Sequence, residues 1–79
     1  MARFHLHVRD DLVAPDSEGL ELPHLEAAKT AALQGARELI AENIRCGKPV
    51  HKSHRVEIAD EAGQVLHTIS FGEIVDLRP

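Results

Sequence analysis

The chain has 79 residues, a formal net charge of −4 at neutral pH and apolar residues at 43% of its positions. This length favours a single domain, 1–79, and the apolar content excludes a wholly disordered chain. The acidic balance argues against nucleic acid as a partner, and the absence of Tyr and Trp removes most of the rings on which bases stack.

The first predicted element is a strand over Arg3–Arg9. Phe4, Leu6 and Val8 alternate there with charged residues and histidines. Because side chains of a strand point alternately to its two faces, one face is expected in the core and the other in water. A second alternating stretch, Leu20–Leu22, adds a short extended piece.

A long amphipathic segment, Leu22–Cys46, predicts one helix. Pro23 and His24 stand at its start, with His24 as the expected N-cap, and Gly47 supplies the expected stop. Its predicted buried stripe is centred on alanines, which let a helix approach a sheet closely, with Phe4 and Phe71 supplying bulk from the sheet. The stripe comprises Leu25, Ala28, Ala32, Ala36, Leu39 and Ile40, with Leu33 and Ile44 at its margin.

The segment Asp60–Gly63 predicts a hairpin turn between two further strands. A four-residue loop pairs Ile58 with Val65, which buries Val65, Ile69 and Phe71 beside the first of these strands. The expected fold is therefore α+β, a two-layer β-α-β-β domain with one long helix on a three-stranded sheet. A single helix covers one sheet face, so the other face is expected to stay open; it carries Arg3, His5, His7, Arg9, Arg55, Glu57, Leu66 and Thr68.

Three motifs resemble a family of short bacterial proteins known only as a domain of unknown function. They are Arg-Phe-His-Leu-His-Val-Arg-Asp at 3–10, Gly-Leu-Glu-Leu-Pro-His-Leu-Glu-Ala-Ala at 19–28 and Ile-Ala-Asp-Glu-Ala-Gly-Gln-Val-Leu at 58–66. The family often has Asp or Ser where this chain has His24. The resemblance implies a helix and hairpin and a bacterial cytoplasmic setting, and it brings no catalytic residues. A looser likeness links the chain to small antitoxin domains of the HicB type.

The six histidines raise the hypothesis of a metal site. His5 and His7 lie two apart on one strand face, so both rings point the same way, and imidazole suits Zn, Cu or Ni. His51 and His54, in the loop after the helix, complete a four-histidine set. The alternative is a solvated sheet face that happens to carry histidines.

The loop after the helix is also basic. Arg45, Lys48, Lys52 and Arg55 occur there without an acid between them, which predicts an anion or partner patch. The alternative is that these cations offset the dipole at the helix C-terminus.

No spaced carboxylate pair, nucleophile elbow or glycine-rich phosphate loop occurs, so we expect no enzyme and no cofactor. The single cysteine and the lack of an apolar leader or membrane span predict a cytoplasmic protein. The favoured function is a small interaction or regulatory module, acting as a homodimer or on an unidentified protein partner. A histidine-based metal-binding module and a small nucleic-acid-associated regulator are the alternatives.

Overall fold

A computed structural model describes residues 2–9, 13–14 and 16–75. It is α+β, as the sequence predicts. The elements in chain order are β1 (Ala2–Arg9), β2 (Val13–Ala14), β3 (Leu20–Leu22), α1 (Leu25–Arg45), β4 (Arg55–Ala59), β5 (Val65–Ser70) and the short α2 (Phe71–Ile74). Neither helix in these ranges is long and apolar enough to cross a bilayer.

The sheet is antiparallel and has more strands than the three predicted. Its main order is β2-β1-β4-β5, and β3 pairs with the other half of the β1 edge. Phe4 lies opposite Leu20, and Val8 lies opposite Ala14. Strands of two or three residues carry almost no pattern of their own, because they form by pairing with an edge that already exists. That is why the sequence indicated β3 only as an extended piece and did not indicate β2.

Helix α1 begins and ends as its flanking residues predict. His24 is the N-cap, and its Nδ1 accepts a hydrogen bond from the Ala27 N–H at 3.1 Å. At the other end, the Gly47 N–H donates to the Ile44 carbonyl and the Lys48 N–H donates to the Asn43 carbonyl. This pair of bonds is the Schellman arrangement, and Gly47 permits it with a φ of +74°.

The core forms where the alanine stripe of α1 meets the sheet. Ala28, Ala32, Ala36 and Ile40 are buried, as are Phe4 and Phe71, so the predicted division between small helix residues and bulky aromatic rings is confirmed. Leu25 and Leu39 pack partly buried against this cluster. Ile44, which was expected at the margin of the buried helix stripe, lies outside it and is 64% exposed. The buried cluster comprises Phe4, Ala28, Ala32, Ala36, Ile40, Val56, Ile58, Ile69 and Phe71.

The hairpin forms at the predicted turn but in a different register. The Asp60 N–H bonds to the Gln64 carbonyl, and the Asp60 carboxylate accepts the Gln64 N–H. A bulge then lets Ala59 pair with Val65 while Ile58 pairs with His67. The predicted pairing of Ile58 with Val65 was therefore wrong, and Val65 is 48% exposed instead of buried.

The chain also leaves the sheet earlier than expected. Strand β5 ends at Ser70, and Phe71 opens α2. Its backbone N–H donates to the His54 carbonyl at 2.7 Å, which directs the ring into the core from the end of the sheet. The burial predicted for Phe71 is confirmed, but its place in a strand is not.

Candidate functional site

The sheet face opposite α1, here called the open face, carries the predicted polar set. Pairing of β1 with β4 places His5 beside Ala59, His7 beside Glu57, and Arg9 beside Arg55. Strand β5 adds Thr68 next to Glu57. Leu66 lies in the bulge at the start of β5 and is 39% exposed. No helix of the described ranges packs on the open face, since the buried cluster lies entirely on the side of α1.

Asp16 holds the outer edge of β1 in the gap between β2 and β3. One carboxylate oxygen accepts the Leu6 N–H at 3.2 Å, and the other accepts the Gly19 N–H at 3.0 Å. Partial burial opposes ionisation of this carboxyl, yet the N–H donors of Gly19 and Leu6 hold the pKa of Asp16 below its usual 3.8. Gly19 fits closely here: its φ is +76°, and an added Cβ would lie 2.9 Å from both Arg3 Cγ and the Phe4 carbonyl oxygen.

The backbone of Asp16 also binds both strand histidines. His5 Nδ1 lies 2.7 Å from the Asp16 carbonyl oxygen, and the Asp16 N–H donates to His7 Nδ1 at 2.9 Å. A carbonyl only accepts and an N–H only donates, so His5 carries its proton on Nδ1 and His7 has none there. The rings stack with centroids 6.0 Å apart and planes 12° from parallel.

This geometry limits which of the predicted histidines could bind a metal ion together. The His5 tautomer leaves Nε2 able to ligate a metal, whereas His7 would have to give up its bond from the Asp16 N–H to do so. His54 is buried against Phe71 on the helix side of the sheet, and exposed His51 lies edge-on to it. The structure therefore does not bring the four histidines together. In the ranges 2–9, 13–14 and 16–75 no group of three or more His, Cys, Asp or Glu could hold a metal ion.

At the other end of the open face, Glu57 joins two arginines. It accepts from Arg9 Nε at 2.8 Å and from Arg55 Nε at 3.3 Å. The Arg9 hydrogen bond, opposed by partial burial and supported by Arg55, holds the pKa of Glu57 below its usual 4.5. The carboxylate thus lies between the guanidinium groups of Arg9 and Arg55, two residues that face each other across neighbouring strands.

The predicted cationic patch is dispersed along its loop. Arg45, in the last turn of α1, pairs with Glu42, and Arg55 pairs with Glu57. Lys48 and Lys52 are exposed, and the backbone carbonyl of Lys52 accepts the Gly72 N–H. Two of its four charges are therefore engaged by carboxylates, and the anion site stays a prediction.

An apolar groove of about 230 Å³ opens between α1 and strands β1 and β4. The groove exists because the helix residues Ala31 and Gly35 are too small to fill the space above Leu6 and Val8 of the sheet. The lining comprises Leu6, Val8, Ala31, Ala32, Gly35, Ala36, Leu39 and Val56. Sequence reasoning placed most of these residues in the core without indicating the gap, since their identities are those of ordinary packing residues.

The two edges of the sheet differ. The edge of β1 is occupied by β2, Asp16 and β3 in turn. Strand β5 pairs with β4 on one side, and no strand among the described residues pairs with its other side. This outer edge has no Asp, Glu, Lys, Arg or Pro in its six residues, Val65–Ser70. Val65 and Leu66 are exposed at its start.

The chain matches the model of a known family. A family model described as a domain of unknown function, DUF6894, matches residues 3–72. The chain belongs to the DUF6894 family. The resemblance drawn from the three sequence motifs is thereby confirmed as one to a family without an assigned function. Searches of curated proteins and of solved structures gave no match for this DUF6894 chain.

Proposed function

We propose that this DUF6894 chain is a small non-enzymatic interaction module that recruits a partner by adding a strand to the outer edge of β5. In this reading α1 covers one face of the sheet and stabilises it, while β5 presents its backbone to the partner. The observation that carries the proposal is the contrast between the two sheet edges. One is closed by β2, Asp16 and β3, and the other has no strand beside it in the described chain.

Proteins commonly protect an edge strand with charge, proline or a covering segment, because an unpaired backbone row is a template for another chain. Strand β5 has neither charge nor proline. Its bulge, between the pairs of Ile58 and Ala59, is confined to the start of the strand and leaves regular pairing from His67 to Ser70. The backbone of this regular part is therefore suited to accept a further strand.

Strand addition also fits the chemistry of the surface. Main-chain hydrogen bonds supply affinity in this mode, and alternate side chains supply selectivity. Thr68 and Ser70 would present hydroxyl groups on the open face, whereas Ile69 is buried at 8% exposure on the helix side. The partner is expected to be an extended segment with small polar side chains on one face.

The exposed thiol of Cys46 supports a reducing compartment, such as the cytoplasm, as the setting. Cys46 is the C-cap residue of α1, and its thiol donates to a carboxylate oxygen of Glu42 at 3.2 Å.

Site-specific photo-crosslinking in the native cell tests the proposal. A photoreactive residue replaces Thr68 on β5, with Thr30 on α1 and Arg3 on the open face as controls. Thr68 and Thr30 are both exposed, and Arg3 lies on β1, at the far side of the sheet from β5. We expect a protein adduct from position 68 alone. Adducts that form equally from position 3 would indicate that the partner binds the open face and not the β5 edge. An absence of adducts specific to position 68 would overturn the proposal.

A further inference from the structure

We infer that the strand added to β5 is β5 of a second copy of this chain, related by a twofold axis perpendicular to the sheet. This inference rests on the proposed function and specifies the partner. It follows from three features of the strand: its lack of charge, the arrangement of its side chains on the two faces, and the size of the domain.

Charge favours self-pairing at β5 more than at the other main strands. In an antiparallel twofold pair a strand meets its own sequence, so a charged residue near the axis approaches its own copy and is repelled. Strand β1 carries Arg3 and Arg9, and β4 carries Arg55 and Glu57. Strand β5 has no Asp, Glu, Lys or Arg, so a second copy meets no like charge along it.

The alternation of side chains restricts the register. Pairing across the new edge must keep helix-side residues together and open-face residues together, because the two sheets become one. Centring the axis on Thr68 meets this condition. It places Thr68 opposite its own copy on the open face and His67 opposite the partner's Ile69 on the helix side. Cross-strand pairs of threonine are favourable, since their hydroxyl groups hydrogen-bond.

Exposed Leu66, near the start of β5, fits the same register. Leu66, which is 39% exposed, then lies opposite the partner's Ser70. The methyl groups of Leu66 would lose contact with water when the two strands pair. A domain of 79 residues has a small core, so even a short shared sheet adds usefully to its stability. An interface limited to one strand is small, so the association is expected to be reversible.

Sedimentation velocity between about 5 and about 500 µM, a span that brackets reversible association by mass action, tests the inference on the parent, Thr68→Lys and Thr30→Lys. The two variants make the same chemical change at exposed positions, one on β5 and one on α1. We expect the parent mass to rise from 8.7 kDa toward twice that value. Thr30→Lys should follow the parent, and Thr68→Lys should stay monomeric. Leu66→Lys gives a second edge variant, and circular dichroism verifies that each variant is folded.

Two results would overturn the inference: a parent that is monomeric throughout this range, or folded edge variants that associate as the parent does. The first result leaves the proposed function intact if photo-crosslinking at Thr68 captures a different protein. The second excludes the second copy from the β5 edge, and photo-crosslinking at Thr68 then decides the proposed function separately. Failure of the inference and failure of the proposed function are thus distinguishable.

Discussion

Asp16 and Leu6 close one edge of the sheet: a carboxylate oxygen of Asp16 accepts the Leu6 N–H at 3.2 Å, midway between the points where β3 and β2 pair with β1. A short side chain thereby substitutes for the strand residue missing at this point. Nothing comparable lies beside β5 in the part of the chain that the structure describes. Among the described residues, one edge of the sheet is thus covered and the other has no strand beside it.

Replacing Asp16 by Asn tests the first of these edges. Asn keeps one acceptor oxygen but turns an N–H donor toward a backbone N–H, so the variant should lose about 1–3 kcal/mol in its free energy of unfolding. Glu18→Gln is the matched control, because it removes the same charge from an exposed neighbour. Urea unfolding of both variants measures the difference, and equal stabilities would show that the Asp16 carboxylate does not hold the β1 edge.

The same variant has a defined pH dependence. The pKa of Asp16 is lower in the folded chain than its usual 3.8, so the unfolded chain takes up the proton first. The contribution to stability is therefore complete above about pH 5 and is lost as pH falls through the folded pKa. The stability gap between parent and Asp16→Asn should narrow in this acidic range. A gap that is constant from neutral pH to about pH 2 would contradict a role for the ionised carboxylate.

Gly19 should tolerate a side chain less well than Gly63. Both have positive φ, +76° and +88°, so alanine strains the backbone at either position. An added Cβ at Gly63 meets nothing within 4 Å, whereas at Gly19 it meets Arg3 and Phe4 at 2.9 Å. We expect Gly63→Ala to cost about 1–2 kcal/mol and Gly19→Ala to cost about 1–3 kcal/mol more. Thermal unfolding of the pair measures the difference, and equal losses would place the 16–19 segment away from β1.

Several features were predictable from sequence because one physical requirement determined them. The alanine stripe follows from helical periodicity, and the stop at Gly47 follows from the need for positive φ. The hairpin register was not predictable from apolar pattern alone. Val65 and Leu66 are both apolar, and the bulge lies beside a turn that Asp60 closes with its own carboxylate.

The role of Asp16 was also missed. An aspartate in a segment with Ser and Gly is typical of any surface turn, and only the position of that turn beside β1 brings its carboxylate to the Leu6 N–H. Gly19, three residues later, was the available signal. The separation of the four histidines was missed for a related reason. Alternation placed His5 and His7 on one sheet face, but it did not indicate that His54 would lie against Phe71 on the helix side of the sheet.

Replacing an alanine of the stripe by a larger residue should destabilise the protein where the helix is closest to the sheet. Ala28 has no exposed surface, so Ala28→Leu should overpack the core and cost about 1–3 kcal/mol. Ala41→Leu makes the same change at an exposed helix position and should shift stability by no more than about 0.5 kcal/mol. Chemical denaturation compares the two. A neutral Ala28→Leu would mean that this part of α1 does not face the sheet.

At the groove, a larger residue should not destabilise the protein. Ala31 is half-buried and lines the space of about 230 Å³, so Ala31→Leu adds apolar contacts to Leu6 and Val8 without displacing packed atoms. We expect stability to be unchanged or to rise by up to about 1 kcal/mol. A loss as large as that of Ala28→Leu would indicate that the groove is already filled. Both variants should be measured under one set of denaturation conditions.

Hydrogen–deuterium exchange at two protein concentrations tests the central claim, that two copies of the chain associate at the outer edge of β5. Peptides covering Val65–Ser70 are followed by mass spectrometry after labelling at about 5 and about 500 µM, with peptides of β1 and α1 as internal references. The account predicts slower exchange in β5 at the higher concentration for the parent and Thr30→Lys, and no change for Thr68→Lys. Protection that rises in β1 or α1 instead, or in no segment, would contradict it.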